Sequence, residues 1–121
     1  MSKSKTYFDA LISLRDEVNS AFTLLNRKLS ELDRQINAIY HELEKCELDA
    51  DSGFAAAVLL QDVLRRRRVV KDEIARMDPL FKFLSDHTGG LIDNYQKRVE
   101  KSEEIRRNLN VTLSLEEVIT L

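Results

Sequence analysis

The stretch from Leu60 to Glu73, LQDVLRRRRVVKDE, places four arginines side by side between apolar residues. Guanidinium groups grip phosphate oxygens two at a time, so a phosphate or nucleic-acid partner is the first chemistry to weigh. Successive residues of a helix point about 100° apart, however, which spreads Arg65 to Arg68 around the circumference instead of along one stripe. Arg65, Arg68 and Lys71 are what remains as a local phosphate-binding patch. Asp62 stands four residues before Arg66 and Asp72 four after Arg68, a spacing that predicts local ion pairs on a solvated face. The whole chain has 19 basic against 21 acidic residues and a formal charge of -2. Dedicated nucleic-acid binders usually carry a basic excess, so this reading is an alternative and not the favoured one.

Other chemistry finds little support. His41 and Cys46 fall on different faces of a helix, and His87 lies far along the chain, so no clustered set of zinc ligands forms. Glycine-rich phosphate loops, Gly-x-Ser-x-Gly and His-Glu-x-x-His are all absent. The expectation is a protein without catalytic residues, metal or cofactor, and not an enzyme. Cys46 reads as a small buried hydrophobe. As the single cysteine it can form no internal disulfide, which suits a reducing compartment. With no apolar run approaching the roughly 20 residues of a membrane span, the expected location is cytoplasmic, away from membranes. The sequon at Asn110 is then accidental.

The elements that position these residues are helices. Only 3 glycines and 1 proline occur, and hydrophobic residues make up 43%. From Phe8, alternate steps of three and four pass through Leu11, Arg15, Val18, Phe22, Leu25, Leu29, Leu32, Ile36, Ile39, Leu43 and Cys46. Arg15 is the lone exception in an apolar heptad seam. After the polar break LDADSG, where Asp51 or Ser52 can cap a new helix, the step resumes. It runs through Ala56, Leu60, Val63, Arg67, Val70, Ile74, Met77, Phe81 and Leu84. Two matched seams and a short turn predict an all-α fold built on a long antiparallel coiled-coil hairpin.

The expected bounds are helix 1 over about 5–48 and helix 2 over 53–77, continuing or restarting over 79–87 at Asp78-Pro79. His87-Thr88-Gly89-Gly90 is the best turn candidate. It predicts a third, shorter helix over about 91–108, turned back against the wide apolar face of helix 1 at the open end of the hairpin. That face carries Tyr7, Ile12, Leu14, Ala21 and Leu24 beyond the seam. In the tail, 110–121, Ser114 and Glu117 fit a capping box for a short helix, while Val111, Leu113 and Leu115 alternate as a strand would.

Both arginines that interrupt the seams find an acidic residue across the hairpin. The geometry sets Arg67 near Asp33 and Arg15 near Asp86, polar pairs able to fix register. At the turn end, Phe54, Ala55, Val58 and Leu59 lie outside the seam as a contiguous apolar patch, the usual mark of an interface. The predicted function is therefore protein–protein interaction by a self-associating helical-bundle protein, most simply a dimer. It would serve as an adaptor, an assembly element or an inhibitor, of the kind found among bacterial and phage accessory proteins. The rivals are a nucleic-acid-associated protein using Arg65, Arg68 and Lys71 in an oligomer, and a purely structural spacer.

Overall fold

A computed structural model describes residues 2–119. Along the chain run α1 (Lys3–Lys45), α2 (Ala50–Asn108) and the short α3 (Leu115–Ile119), with no strand among the described residues. The two long helices pack against each other as a hairpin. Thr120 and Leu121, the end of the predicted tail, lie outside the described residues.

Residues Val18–Leu80 form one compact unit. Its core is Leu32, Ile36 and Ile39 of α1 around Val63 of α2, with Leu43, Leu60 and Val70 packed at the margin. All are positions of the three-four step, so the sequence period translates directly into burial. Leu32 is the most enclosed, at 1% exposure. The connection between the helices is closed by Asp49, not by Asp51 or Ser52 as expected. Asp49 Oδ1 accepts the Ser52 backbone N–H at 2.7 Å, and Ser52 Oγ accepts the Asp49 N–H at 3.1 Å. Two orphan donors of the first turn are thus satisfied reciprocally, as in a capping box with serine in place of glutamate. The Ser52 backbone N–H and then its hydroxyl, both acting on the carboxylate, hold the Asp49 carboxyl below its ordinary value of 3.8.

The second unit joins the residues up to Glu17 with those from Phe81 onward. Phe8 stacks on Tyr95, with ring centroids 4.2 Å apart and planes 14° from parallel. Ser4 Oγ lies 3.2 Å from the Tyr95 hydroxyl. Leu84 is buried, and so is Thr88, whose hydroxyl donates to the Leu84 carbonyl at 2.6 Å. That bond satisfies the one polar group the threonine brings into the apolar seam.

The expected turn at His87–Gly90 and separate third helix over 91–108 are not found. Alpha2 continues through Pro79 and through both glycines to Asn108. No glycine among the described residues has positive φ, so Gly89 and Gly90 adopt ordinary helical backbone. The physical reason is that the seam itself does not stop. After Leu84 the shielded positions are Thr88, Ile92, Tyr95 and Val99, and Tyr95 stacks on Phe8 in the first turns of α1. Their packing outweighs a propensity loss of about 1 kcal/mol per glycine. Thr88 to Ile92 repeats a four-residue step where the heptad asks for three. Such a stutter suits an unsupercoiled helix. Residues 92–99 thus serve the first turns of α1 by extending α2, and the wide apolar face expected to meet a third helix keeps Tyr7, Leu14 and Leu24 exposed.

Past the reach of α1, residues 101–110 are exposed throughout. Alpha2 ends in a Schellman motif: Val111 N–H bonds the Arg106 carbonyl at 2.9 Å and Asn110 N–H the Arg107 carbonyl at 3.2 Å. Asn110 takes φ 55°, the left-handed conformation that asparagine tolerates well. The Arg106 guanidinium then donates to the Leu113 carbonyl, tying the tail to the last turn of α2. Ser114 Oγ accepts the Glu117 N–H at 3.2 Å and so caps α3, which takes the helical option over the strand.

Candidate interaction surface

The arginine run sits inside α2 and its members have separate surroundings. Arg67 turns across the hairpin, its Nε donating to Asp33 Oδ1 at 2.6 Å, with both side chains partly shielded. Arg66 bonds Asp62 one turn back at 3.0 Å. Arg68 makes no pair with Asp72, and Arg65, Arg68 and Lys71 have no ion pair among the described residues.

The other interrupted seam position behaves differently. Arg15 turns along its own helix to Asp16 Oδ1, at 3.0 Å, and Asp86 is exposed, so the expected Arg15–Asp86 contact is absent. An adjacent carboxylate on the same turn costs less side-chain ordering than one across the interface. Of the two expected pairs, Arg67–Asp33 is the one that spans the helices. We expect a double-mutant cycle of Arg67→Ala and Asp33→Ala, followed by urea unfolding, to give a coupling of about 1 kcal/mol that shrinks with added salt. A coupling of zero would leave alignment of the helices to apolar packing alone.

Cys46 is exposed and not buried as expected, because α1 ends at Lys45 and releases it from the seam. His41 is exposed and lies 3.8 Å from Glu44. His87 leans on the Phe83 ring, 4.7 Å between centroids. Among the described residues no three His, Cys, Asp or Glu side chains gather around a common point. No helix among them is long and apolar enough to cross a membrane.

At the turn end Phe54 is 72% exposed, and Val58 and Leu59 are about half exposed. Leu59 also borders a groove of about 290 Å³ whose other walls are Ala38, Ile39, Leu43, Cys46 and Ala56, with Glu42 at its edge. Small side chains on both helices create this groove: Ala38 and Ala56 leave space where larger residues would have filled it. The sequence marks Phe54, Ala55, Val58 and Leu59, yet misses Ala38, because one alanine on a polar helix face gives no signal until the partner helix is in place. With no third helix over α1, Tyr7, Leu14 and Leu24 also stay exposed. A second recess, lined by Asn19, Ser20, Thr23, Leu24 and Arg27, lies on α1 beside the buried and unpartnered Asn19 Oδ1.

Comparison with protein-family models, with curated proteins and with solved structures returns no match.

Proposed function

We propose that this chain is a non-enzymatic interaction module that assembles with copies of itself through its uncovered apolar helix faces, and acts as an adaptor or assembly element. One quantity carries the reading. The chain exposes 9712 Å², whereas a folded monomer of 14.0 kDa exposes about 6,700 Å² on the usual size scaling. The excess, about 3,000 Å² per chain, is at least as large as the roughly 1,000–2,500 Å² that each subunit gives to a permanent homo-oligomer interface. Only Leu32, Ile36, Ile39, Val63 and Leu84 are buried apolar residues among those described. Two helices can shield one stripe of each other, and the remaining apolar area needs further helices.

The surface best suited to a second copy is the turn-end patch. Phe54, Val58 and Leu59 offer bulk, and Ala55, Ala56 and Ala57 allow close backbone approach. The neighbouring groove gives a large side chain such as Phe54 of another copy a place to go. A pair of hairpins so joined makes a four-helix bundle. We expect Val58→Glu with Leu59→Glu to weaken assembly by roughly a hundredfold or more, since two charges would be desolvated without partners. Light scattering after gel filtration reads this directly, and circular dichroism checks that the helices persist. An unchanged mass would remove the patch from the interface.

A further inference from the structure

The outer face of α2 carries a pattern of its own between Val58 and Leu80, inside one compact unit. Val58, Val69 and Leu80 are spaced eleven residues apart, close to three helical turns, so they fall nearly in line. All three are exposed, Val69 at 69%. Val63 and Val70, which pack in the hairpin core, lie about 100–120° around the helix from Val69. The residues that share this outer face are charged and exposed: Asp62, Arg65 and Arg66 before Val69, and Asp72, Glu73 and Arg76 after it. Arg65 and Asp72 lie along one edge of the row, Arg66 and Glu73 along the other. Arg65, Asp72, Glu73 and Arg76 have no ion pair among the described residues, while Arg66 gives its Nε to Asp62 at 3.0 Å.

This order of charges is complementary to its own reverse. When two antiparallel helices are related by a two-fold axis, each edge of the contact face meets the same edge of the second copy. With the axis at Val69, that residue meets its own copy and Val58 meets Leu80. Arg65 then stands opposite Asp72, Arg66 opposite Glu73 and Asp62 opposite Arg76, with unlike charges in every case. A parallel pair would set one edge against the other at equal height. That would bring Arg65 onto Arg66 and Asp72 onto Glu73, and such like-charge contacts select against it.

We infer that two copies of the chain associate through this face of α2, antiparallel, with the two-fold axis at Val69. The inference rests on the reading above that copies of the chain meet, and it supplies their orientation: the turn end of one hairpin lies beside Leu80 of the other. The contact runs about 33 Å along the helix. Apolar burial at its centre and both ends supplies the affinity, and the charges set direction and register. A single exposed ion pair contributes little by itself. Here the two-fold axis forms each pair twice.

Sedimentation equilibrium of the full chain tests the pairing with Arg65→Asp, Asp72→Arg and the two combined, with circular dichroism to check that the helices persist. Each single change sets like charges together at two symmetry-related places and is expected to weaken association roughly tenfold. The combination restores unlike charges and is expected to recover most of the loss. Within one chain the two residues stand about 10 Å apart along the helix, so recovery reports contact between copies. Independently, Val69→Cys in a Cys46→Ser chain is expected to give a disulfide-linked dimer on mild oxidation, because the axis brings the two sulfurs together. Association unchanged by both single substitutions would overturn the inference and leave the turn-end patch as the contact. A combined variant no stronger than the single ones would also overturn it, as would a Val69→Cys chain that stays uncrosslinked. An unmodified chain that remains a monomer would remove both this pairing and the reading beneath it.

Discussion

Leu32→Ala is expected to cost about 3 kcal/mol of unfolding free energy, the typical penalty for emptying a leucine site in a tight core. Leu32 has 1% of its surface exposed, and its neighbours Ile36, Ile39 and Val63 come from both helices. Long helices with few loops cannot shift a backbone segment inward to fill the space, so little of the loss is recovered. For a domain of this length the change is large against a total stability of about 5–15 kcal/mol. Urea unfolding followed by circular dichroism measures it, with a lowered midpoint and an unchanged slope. Leu24→Ala is the matched control, because Leu24 is mostly exposed in the same unit and should change stability by less than about 0.5 kcal/mol in the absence of assembly. Equal effects at both sites would mean that the core does not lie where Leu32 sits.

Replacing Gly89 and Gly90 together by alanine is expected to act in the opposite direction and stabilise the chain by about 2 kcal/mol. Each glycine in a helix interior costs about 1 kcal/mol relative to alanine, mostly through the freedom it gives the unfolded chain. Nothing lies within 4 Å of a methyl group at either position, so no clash offsets the gain. The sign decides between two architectures. In a turn with left-handed backbone, alanine would be strained and the double variant would be less stable. Thermal unfolding with and without the substitutions, at equal chain concentration, reads the sign.

The comparison of sequence with structure turns on which signals are local. The seam from Phe8 to Leu43 and from Ala56 to Leu84 was legible because every step but Arg15 and Arg67 is an apolar side chain whose type reports burial. Arg67 was legible for the same reason: an arginine at an apolar position needs a partner, and Asp33 stands at the matching height across a short turn. Gly89-Gly90 misled because glycine reports only what the backbone is free to do. What it does there is decided by Ile92, Tyr95 and Val99, and by the start of α1 at Lys3, which needs a partner of that length. The cap at Asp49 was hidden because Asp51 and Ser52, just beyond it, carry equally competent accepting side-chain oxygens. The tail signal was sound in Ser114 and Glu117, since a capping box is a local device that depends on few distant contacts.

The candidate surfaces follow the same division. Phe54, Val58 and Leu59 could be named from the sequence because they fall outside a seam already identified.

The central claim is that two helices leave too much apolar surface for the chain to remain alone. Molar mass by sedimentation equilibrium of the unmodified protein tests it most directly. The account expects an integer multiple of 14.0 kDa, with the dimer as the smallest stable species and larger forms as concentration rises. A single species of 14.0 kDa across a roughly hundredfold range of concentration, reaching well above micromolar, would contradict it.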